Sequence, residues 1–261
     1  MPGELFRRLH QCLRQYSRVA VAFSGGVDST VLLHVCCKIF PPHSILALHA
    51  SSCLQSASAA ANTQQVMAAH FASHCRFLEI RCTPMEWPEF VINNVERCYF
   101  CKKRTFQLFL QEMQQNGMEV LLDGTNMSDL GQYRPGIKAL QELGVVSPFL
   151  EVGITKEEIR QYARTHNLIN HDLPSNSCLA TRIPDGNAIT IEGLTVVEKA
   201  EEFLTSIGFH VVRVRLFQGF VHIELLDEDI SRVSERECRE NVIRYFRERG
   251  LGQPYIGLAG R

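Results

Sequence analysis

Long apolar runs and an excess of charge of one sign are both missing from this sequence of 261 residues. The longest apolar stretch, Val31 to Phe40, is interrupted by His34 and Lys38 and is far shorter than the roughly 20 residues of a membrane-spanning helix. Lys and Arg number 27 against 28 Asp and Glu, which argues against a protein that holds nucleic acid by charge alone. The first residues contain no apolar segment of a secretory signal. We therefore expect a cytoplasmic protein with no membrane contact.

Cysteine, by contrast, is abundant, with ten residues. Disulfides are rare in a reducing compartment, where paired cysteines more often indicate metal or redox chemistry. Cys53 lies in a Ser-rich stretch and is left unassigned. Six others are expected to be small buried hydrophobic residues: Cys12, Cys36, Cys37, Cys75, Cys82 and Cys238.

The order of predicted elements gives the fold class. Strands alternate with helices over about 165 residues, which predicts an α/β fold with a mostly parallel sheet covered on both faces. The predicted strands are 18–23, 44–49, 76–80 and 119–122, and the helices are 29–39, 58–73, 102–115 and one that Thr155 and Glu158 open as a capping box. A helix at 191–207, strands at 211–217 and 220–225, and a helix at 230–249 then predict a smaller α+β unit. We divide the chain into domains 1–172 and 190–261, with a loop-rich link at 173–189.

A glycine pair follows the first predicted strand, in the segment Ser24-Gly-Gly-Val-Asp-Ser-Thr30, and a helix comes next. Glycines let backbone amides approach a ligand, and a helix N-terminus offers unpaired donors and positive dipole. The segment therefore predicts a phosphate cradle, although it lacks the Lys of a Walker A loop. It resembles the pyrophosphate loop of the N-type ATP pyrophosphatases, Rossmann-like enzymes that split ATP into AMP and pyrophosphate.

That resemblance implies ATP and Mg²⁺ as ligands. Asp28 would hold the magnesium ion and act in catalysis. Asp123, before Gly124, lies either where such sheets place ligands or in a buried structural role. The residues implied in ATP binding are Ala22, Ser24, Gly25, Gly26, Asp28, Ser29, Thr30, Ala50 and Gly124.

Three cysteines remain. Cys98-Tyr-Phe-Cys101 opens a predicted helix and lies between Arg97 and the basic run Lys102-Lys103-Arg104. A helix N-terminus and cationic neighbours each lower the pKa of a thiol in general. The pair alone could be a redox dithiol, half of a zinc site or packing, and Cys178 is the candidate third ligand. With His171 the three would make a zinc site. Three thiolates on a cuboidal iron–sulfur cluster would instead leave one iron open to carry sulfur. A sulfur atom carried next to a site of ATP activation would indicate a thiolation reaction, in which a carboxyl group is adenylated and sulfur then displaces AMP.

Taken together, these motifs resemble the LarE family of ATP-dependent sulfur transferases, which build a nickel-pincer cofactor. Besides the glycine loop, the matching segments are Asp123-Gly124, Tyr133-Arg-Pro-Gly-Ile-Lys138, Ser177-Cys178 with Arg182, Val212-Arg-Val-Arg215 and Ile223-Glu224. The family's substrate is a pyridinium dicarboxylate mononucleotide, which is adenylated at a carboxylate and converted to a thiocarboxylate. One branch carries three cysteines and a 4Fe-4S cluster.

The resemblance implies roles for particular residues. Cys98, Cys101 and Cys178 would bind the cluster, with Cys178 also taking part in catalysis, and inorganic sulfide or a cysteine desulfurase would supply the sulfur. The family also implies a homo-oligomer. The residues implied in substrate binding are Arg134, Lys138, Arg182, Arg213, Arg215 and Glu224.

Arg213 and Arg215 also carry an argument of their own. Two residues apart on a strand, they project from the same face, and two adjacent guanidinium groups favour an anion such as a nucleotide phosphate. The alternative is a solvated strand face paired with Glu224. Other functions left open are a tRNA 2-thiolation enzyme, an iron–sulfur redox sensor and an amidotransferase subunit. From Thr190 onward, 10 Lys and Arg face 12 Asp and Glu, a net charge of −2, so we do not expect nucleic acid as a partner.

Overall fold

The computed structural model describes residues 2–131, 135–174 and 176–257. The chain forms two compact units. The first consists of Met1–Pro84 and Glu96–Asn176, and the second of Met85–Val95 and Ser177–Arg261. The second unit therefore includes a short segment that the sequence places inside the first domain. The division at 172 and 190 stays a prediction.

The first unit contains a four-stranded parallel sheet in the order β3-β2-β1-β4. Its strands are β1 (Val19–Ala22), β2 (Ile45–Ser51), β3 (Arg76–Arg81) and β4 (Val120–Leu122). In the register, Val21 of β1 pairs with Ala47 on one side and Leu122 on the other. The chain leaves β1 toward β2 and later returns to its other side as β4, so the sheet has a switch point beside the carboxyl end of β1. The predicted parallel sheet is confirmed.

Helices cover both faces of this sheet. They are α1 (Pro2–Leu13), α2 (Val27–Ile39) and α3 (Ala57–His70), and, after a short helix α4 (Pro88–Val91) in the second unit, α5 (Arg97–Gln115), α6 (Pro135–Glu142), α7 (Pro148–Val152) and α8 (Lys156–Thr165). Val19 and Val21 face a core with α1 and α2, whereas Ala20 faces a core with Phe106 and Phe109 of α5. This alternation is what a buried strand between two helical layers requires.

The second unit has a three-stranded sheet, which is formed by β5 (Arg213–Phe217), β6 (Phe220–Glu224) and β7 (Gln253–Ile256). The β5 and β6 strands are antiparallel, and β7 runs parallel to β6. The helices α9 (Ile191–Ser206), α10 (Asp227–Ser234) and α11 (Arg236–Glu248) complete the unit, and its core includes Val214, Ile223 and Phe246.

The structure of this unit differs from the expectation in one helix and contains one additional strand. The predicted helix 230–249 is two helices, because Glu235 has an extended conformation with ψ 141° between them. Strand β7 was not predicted, since Pro254 is unfavourable in a strand except at an edge, which is where β7 lies. Among the residues described, none of the helices has both the length and the apolar character needed to cross a bilayer.

Candidate active site

The glycine loop connects the carboxyl end of β1 to the N-terminus of α2. Gly26 is the N-cap of α2 and provides no side-chain hydrogen bond to the first turn. The first amides of a helix have no partner within the helix itself. These donors, together with the positive end of the helix dipole, therefore form a site for an anion at the switch point of the sheet.

A glycine is required at position 25 both by the backbone conformation and by the lack of space for a side chain. Its φ is +76°, and a Cβ there would lie 2.5 Å from Thr63 Oγ1 and 2.8 Å from Thr63 Cα. Thr63 approaches this closely because its hydroxyl donates a hydrogen bond of 3.0 Å to the Ser24 carbonyl. Helix α3 is thus packed directly against the loop.

Two asparagines fix the same loop. Asn62 Nδ2 donates to the Gly25 carbonyl at 3.0 Å, and Asn170 Nδ2 donates to that carbonyl and to Thr30 Oγ1, both at 2.8 Å. Asn170 is fully buried, and its Oδ1 has no hydrogen-bond partner within the described residues. Neither asparagine was predicted, because their positions in the sequence carry no local motif.

The hydroxyls of the predicted ATP-binding residues differ in what they do. Ser29 is buried, and its Oγ donates to the Gly26 carbonyl at 3.0 Å and accepts from the Ser24 amide at 3.2 Å. Thr30 accepts from Asn170. Both hydroxyls therefore hold the loop in its conformation, whereas Ser24 is exposed.

The neighbouring strands bring the remaining predicted ATP-binding residues to the same edge of the sheet. Ala22 is the last residue of β1 and Ala50 lies near the end of β2, and both are half-buried. A Cβ on Gly124, just after β4, would lie 3.2 Å from Asp28 Cβ and from the Ser29 amide. The end of β4 thus contacts the glycine loop directly. The ATP-binding roles of these residues remain predictions.

The two carboxylate oxygens of Asp28 differ in their contacts. Its Oδ2 lies 2.5 Å from Nζ of Lys156, the first residue of α8. Its Oδ1 is buried and has no hydrogen-bond partner in the described part of the chain. Burial raises the pKa of Asp28 above its ordinary value, and the Lys156 ammonium opposes this shift. A carboxylate oxygen of this kind fits a magnesium ion, which prefers oxygen ligands.

Asp123 makes the contacts of a buried structural residue, and its part in ligand binding stays a prediction. It is buried, and its Oδ1 accepts hydrogen bonds from the Thr125 amide at 3.1 Å and from Ser147 Oγ at 2.7 Å. Its Oδ2 lies 3.4 Å from Lys102 Nζ. These contacts hold the chain where it leaves β4, beside Gly124.

The two cysteines of the C-x-x-C motif lie in the first turns of α5, which begins at Arg97 and therefore earlier than the expected helix 102–115. Residues three apart share a helix face. Cys98 is exposed and Cys101 half-buried, and Arg97 Nη2 lies 3.8 Å from Cys98 Sγ. Both cysteines thus lie in the first turns of the helix, and the Arg97 guanidinium is a neighbour of Cys98.

Cys178 lies in the second unit and is exposed. It precedes a 3-10 turn, Leu179–Arg182, and the buried side chain of Arg182 stabilises this segment. The Arg182 side chain is 2% exposed, pairs with Glu201 at 2.9 Å and donates to the carbonyls of Ser177 and Cys178 at 2.8 and 3.2 Å. Arg182 therefore positions the segment that carries Cys178, and its predicted contact with substrate stays a prediction.

The ten cysteines are all thiols. Within either unit, the described residues contain no group of three or more His, Cys, Asp or Glu side chains that could hold a metal ion. Of the six cysteines expected to be buried, two are buried (Cys36 and Cys82) and four are half-buried (Cys12, Cys37, Cys75 and Cys238).

The other predicted substrate residues are placed as follows. Arg213 and Arg215 lie two residues apart on β5, so their side chains are on the same face of the strand. In the register of β5 and β6, Glu224 is opposite Arg213. Arg215 Nε lies 2.5 Å from Glu224 Oε1, and its Nη1 donates to the Thr181 carbonyl at 2.8 Å, so the pairing weighed as the alternative exists for Arg215. Lys138 Nζ lies 5.4 Å from the centre of the Tyr99 ring. Arg134 lies outside the described residues.

A parallel sheet with a glycine loop at its switch point, a helix N-terminus without a side-chain cap and a carboxylate at the same edge defines an α/β nucleotide-binding protein. The family model described as the PP-loop domain matches residues 3–182. The chain belongs to this family, the PP-loop ATP pyrophosphatases, and is an ATP-using enzyme. The family supports ATP and Mg²⁺ as its ligands.

Three relatives extend this result. An uncharacterized protein of Synechocystis sp. is 32% identical over 255 residues, which cover 97% of this chain and 92% of that protein. The pyridinium-3,5-bisthiocarboxylic acid mononucleotide synthase of Lactiplantibacillus plantarum is 29% identical over 84% of this chain and 78% of its own length. A tRNA(Ile)-lysidine synthase of Pseudomonas fluorescens is 31% identical over 67% of this chain and 41% of its own length. The similarity to the second of these supports the LarE resemblance at low identity.

Proposed function

We propose that this enzyme adenylates a carboxylate of pyridinium-3,5-dicarboxylate mononucleotide and converts the adenylate into a thiocarboxylate for nickel-pincer cofactor synthesis. The observation that carries the proposal is a pair of accessible cysteines in the first turns of α5, within an enzyme of the ATP pyrophosphatase family. The similarity to a mononucleotide synthase supports this choice of substrate.

In the first step, a carboxylate oxygen of the substrate attacks the α-phosphorus of ATP. An acyl–adenylate bond forms, the bond to the bridging oxygen breaks, and pyrophosphate leaves. The amides of the glycine loop would hold the β- and γ-phosphates, and Asp28 would hold Mg²⁺ through its unpartnered oxygen. Alignment and neutralisation of the phosphate charge would supply most of the rate acceleration.

In the second step, sulfur replaces AMP at the activated carbonyl. Cys98, Cys101 and Cys178 would hold a 4Fe-4S cluster, and all three residues are thiols with accessible surface. When bound, the cluster would supply a sulfide-level sulfur atom in addition to its own. Inorganic sulfide would deliver this atom directly, whereas the persulfide sulfur of a cysteine desulfurase would first have to be reduced by two electrons, for which a dithiol reductant would serve. Arg182, through its hydrogen bonds to the carbonyls of Ser177 and Cys178, would fix the backbone of the third ligand.

The substrate's phosphate would bind beside β5, where Arg213 and Arg215 project from one face. Arg215 is already paired with Glu224, so a phosphate would have to share or replace that pair. A guanidinium presents several donors in a fork that matches phosphate geometry. Arg134 and Lys138 are further candidates for the same anion.

A Cys98→Ala variant tests the division into two steps. Protein purified without oxygen and supplied with iron and sulfide should contain the cluster, as measured by iron and sulfide content and by the absorption spectrum. The variant should still release pyrophosphate with the substrate but form no thiocarboxylate. Cys238→Ser, which alters a half-buried thiol of the second unit, is the control and should form product normally. Normal yield from the Cys98 variant, or stoichiometric zinc without iron, would contradict the cluster's role.

The relative named tRNA(Ile)-lysidine synthase favours tRNA as a second candidate substrate, and the reaction that the sequence suggests for it is 2-thiolation. The net charge of −2 from Thr190 onward argues against it, since RNA platforms are basic. A gel-shift experiment with total tRNA at low and high salt decides the matter. A salt-sensitive complex would favour tRNA as the substrate.

A further inference from the structure

Lys156 belongs to none of the sequence motifs of the site, yet its ammonium forms an ion pair with Asp28 Oδ2. It is the first residue of α8, after the N-cap Thr155, and its own amide donates to Ser128 Oγ at 3.1 Å. Thr155 and Glu158 form both hydrogen bonds of a capping box. The backbone of Lys156 is therefore fixed, and only its long side chain can move.

The ion pair between Lys156 and Asp28 is placed so that a metal ion can replace the ammonium at the carboxylate. The two side chains are 25% and 29% exposed, so solvent and ions can reach them. The ammonium occupies only Oδ2, while the buried Oδ1 is without a partner in the described residues. A divalent cation on this carboxylate would repel the ammonium at close range. The ammonium would then need another anion within reach of its flexible stem.

The phosphates of ATP would be such an anion, because the N-terminus of α2 is their proposed site and Asp28 is in the first turn of that helix. We infer that Lys156 is a counter-ion that neutralises Asp28 in the empty enzyme and moves to the β- and γ-phosphates when Mg²⁺ and ATP bind. The inference rests on the proposed function only in that ATP is the ligand of the loop. No covalent step is involved.

This exchange predicts effects of opposite sign when the ammonium is removed. Without ATP, Lys156→Gln frees Asp28 for a cation, so the affinity for a divalent metal should increase. With ATP, the variant lacks a charged donor to the phosphates, so the affinity for nucleotide should decrease. A merely structural role for the ion pair would lower both affinities.

The metal affinity of nucleotide-free protein can be measured by electron paramagnetic resonance with Mn²⁺. Nucleotide affinity can be measured by calorimetry with α,β-methylene-ATP and Mg²⁺, a probe that cannot release pyrophosphate. We expect Lys156→Gln to bind Mn²⁺ about twofold to fivefold more tightly, which is the range for a partly exposed ion pair. We expect it to bind the ATP analogue about tenfold more weakly, since a hydrogen bond to a charged group is lost.

Lys103→Gln is the matched control. Lys103 is also paired with a carboxylate, Glu142 at 2.7 Å, and lies in the same unit, but its partner is not in the glycine loop. This variant should bind both probes like the wild type. If Lys156→Gln fails to fold, Lys156→Arg tests the same idea, because it keeps the charge and changes the reach. It should then keep Mn²⁺ affinity within about twofold and bind the ATP analogue more weakly.

Weaker binding of both probes, or unchanged binding of both, would overturn the inference. The proposed function fails in a different way. Wild-type protein that binds no ATP analogue would exclude ATP as the ligand. Wild-type protein that binds the analogue but forms no thiocarboxylate would exclude sulfur transfer and leave the counter-ion exchange intact.

Discussion

Replacement of Gly25 by Ala should damage the glycine loop more than the same change at any unhindered glycine of similar conformation. At φ +76° a residue with a Cβ loses roughly 1–2 kcal/mol. The new methyl group would also lie 2.5 Å from Thr63 Oγ1 and 2.8 Å from Thr63 Cα. Rotation of the Thr63 side chain can relieve only the first contact. Overpacking of this kind costs about 1–3 kcal/mol, so the sum is about 2–5 kcal/mol.

Gly153→Ala separates the two contributions. Gly153 ends α7 with φ +83°, and a Cβ there would meet no atom within 4 Å. It should therefore lose only the conformational part, about 1–2 kcal/mol. Urea unfolding followed by circular dichroism measures both variants, and substrate-dependent pyrophosphate release measures the loop directly.

We expect Gly153→Ala to release pyrophosphate at the wild-type rate and Gly25→Ala to lose at least about tenfold, because the methyl group pushes the loop away from α3. Equal destabilisation of the two variants would show that Thr63 yields without cost. Normal pyrophosphate release by Gly25→Ala would show that the loop's position against α3 does not matter for ATP.

Three other perturbations test the surroundings of the site. Asn170→Ala leaves the Gly25 carbonyl and Thr30 with fewer partners, so it should lose about 1–3 kcal/mol in urea unfolding and raise the KM for ATP. Arg182→Ala leaves the Glu201 carboxylate without its guanidinium partner and should lose about 3–5 kcal/mol, measured in the same way. Burial, with help from Lys38, lowers the pKa of His34 to about 4 from an ordinary 6.5, so the unfolded chain binds the extra proton first. Stability should therefore fall as the pH falls from about 6.5 to about 4, and His34→Gln should reduce this slope in urea titrations at several pH values.

The sequence predicts the sheet of the first unit well because its signals are local. Three of the four strands are short, mainly apolar runs, and β3 combines half-buried apolar residues with exposed charged ones. The glycine loop is a contiguous motif between a strand and a helix. The break at Glu235 was missed because both flanking helices have continuous helical character. Strand β7 was missed because its proline is tolerated only at an edge, and edge position depends on the rest of the sheet.

The sequence predicts the candidate site less completely than the sheet, because contacts in the site join residues that are far apart in the sequence. Asp28 belongs to a motif, but its partner Lys156 is 128 residues away, and Asn170 is 145 residues from Gly25. The capping box of Thr155 and Glu158 is a local signal and predicts the start of a helix. No local signal predicts that Lys156, the first residue of this helix, contacts Asp28. Long-range pairs of polar residues leave no periodic pattern in a single sequence.

The structure also changes how the loop's chemistry is understood. Side-chain hydroxyls were expected to add donors to the phosphate cradle, but those of Ser29 and Thr30 are engaged with Gly26 and Asn170. Backbone amides of the loop are therefore expected to contribute more to phosphate binding than these two hydroxyls, and their direction depends on the loop's conformation. That conformation is set by Gly25 against Thr63 and by the two asparagines at the Gly25 carbonyl. We therefore expect the affinity for ATP to depend on this backbone geometry as well as on the Lys156 ammonium, so that residues that never touch the nucleotide contribute to it.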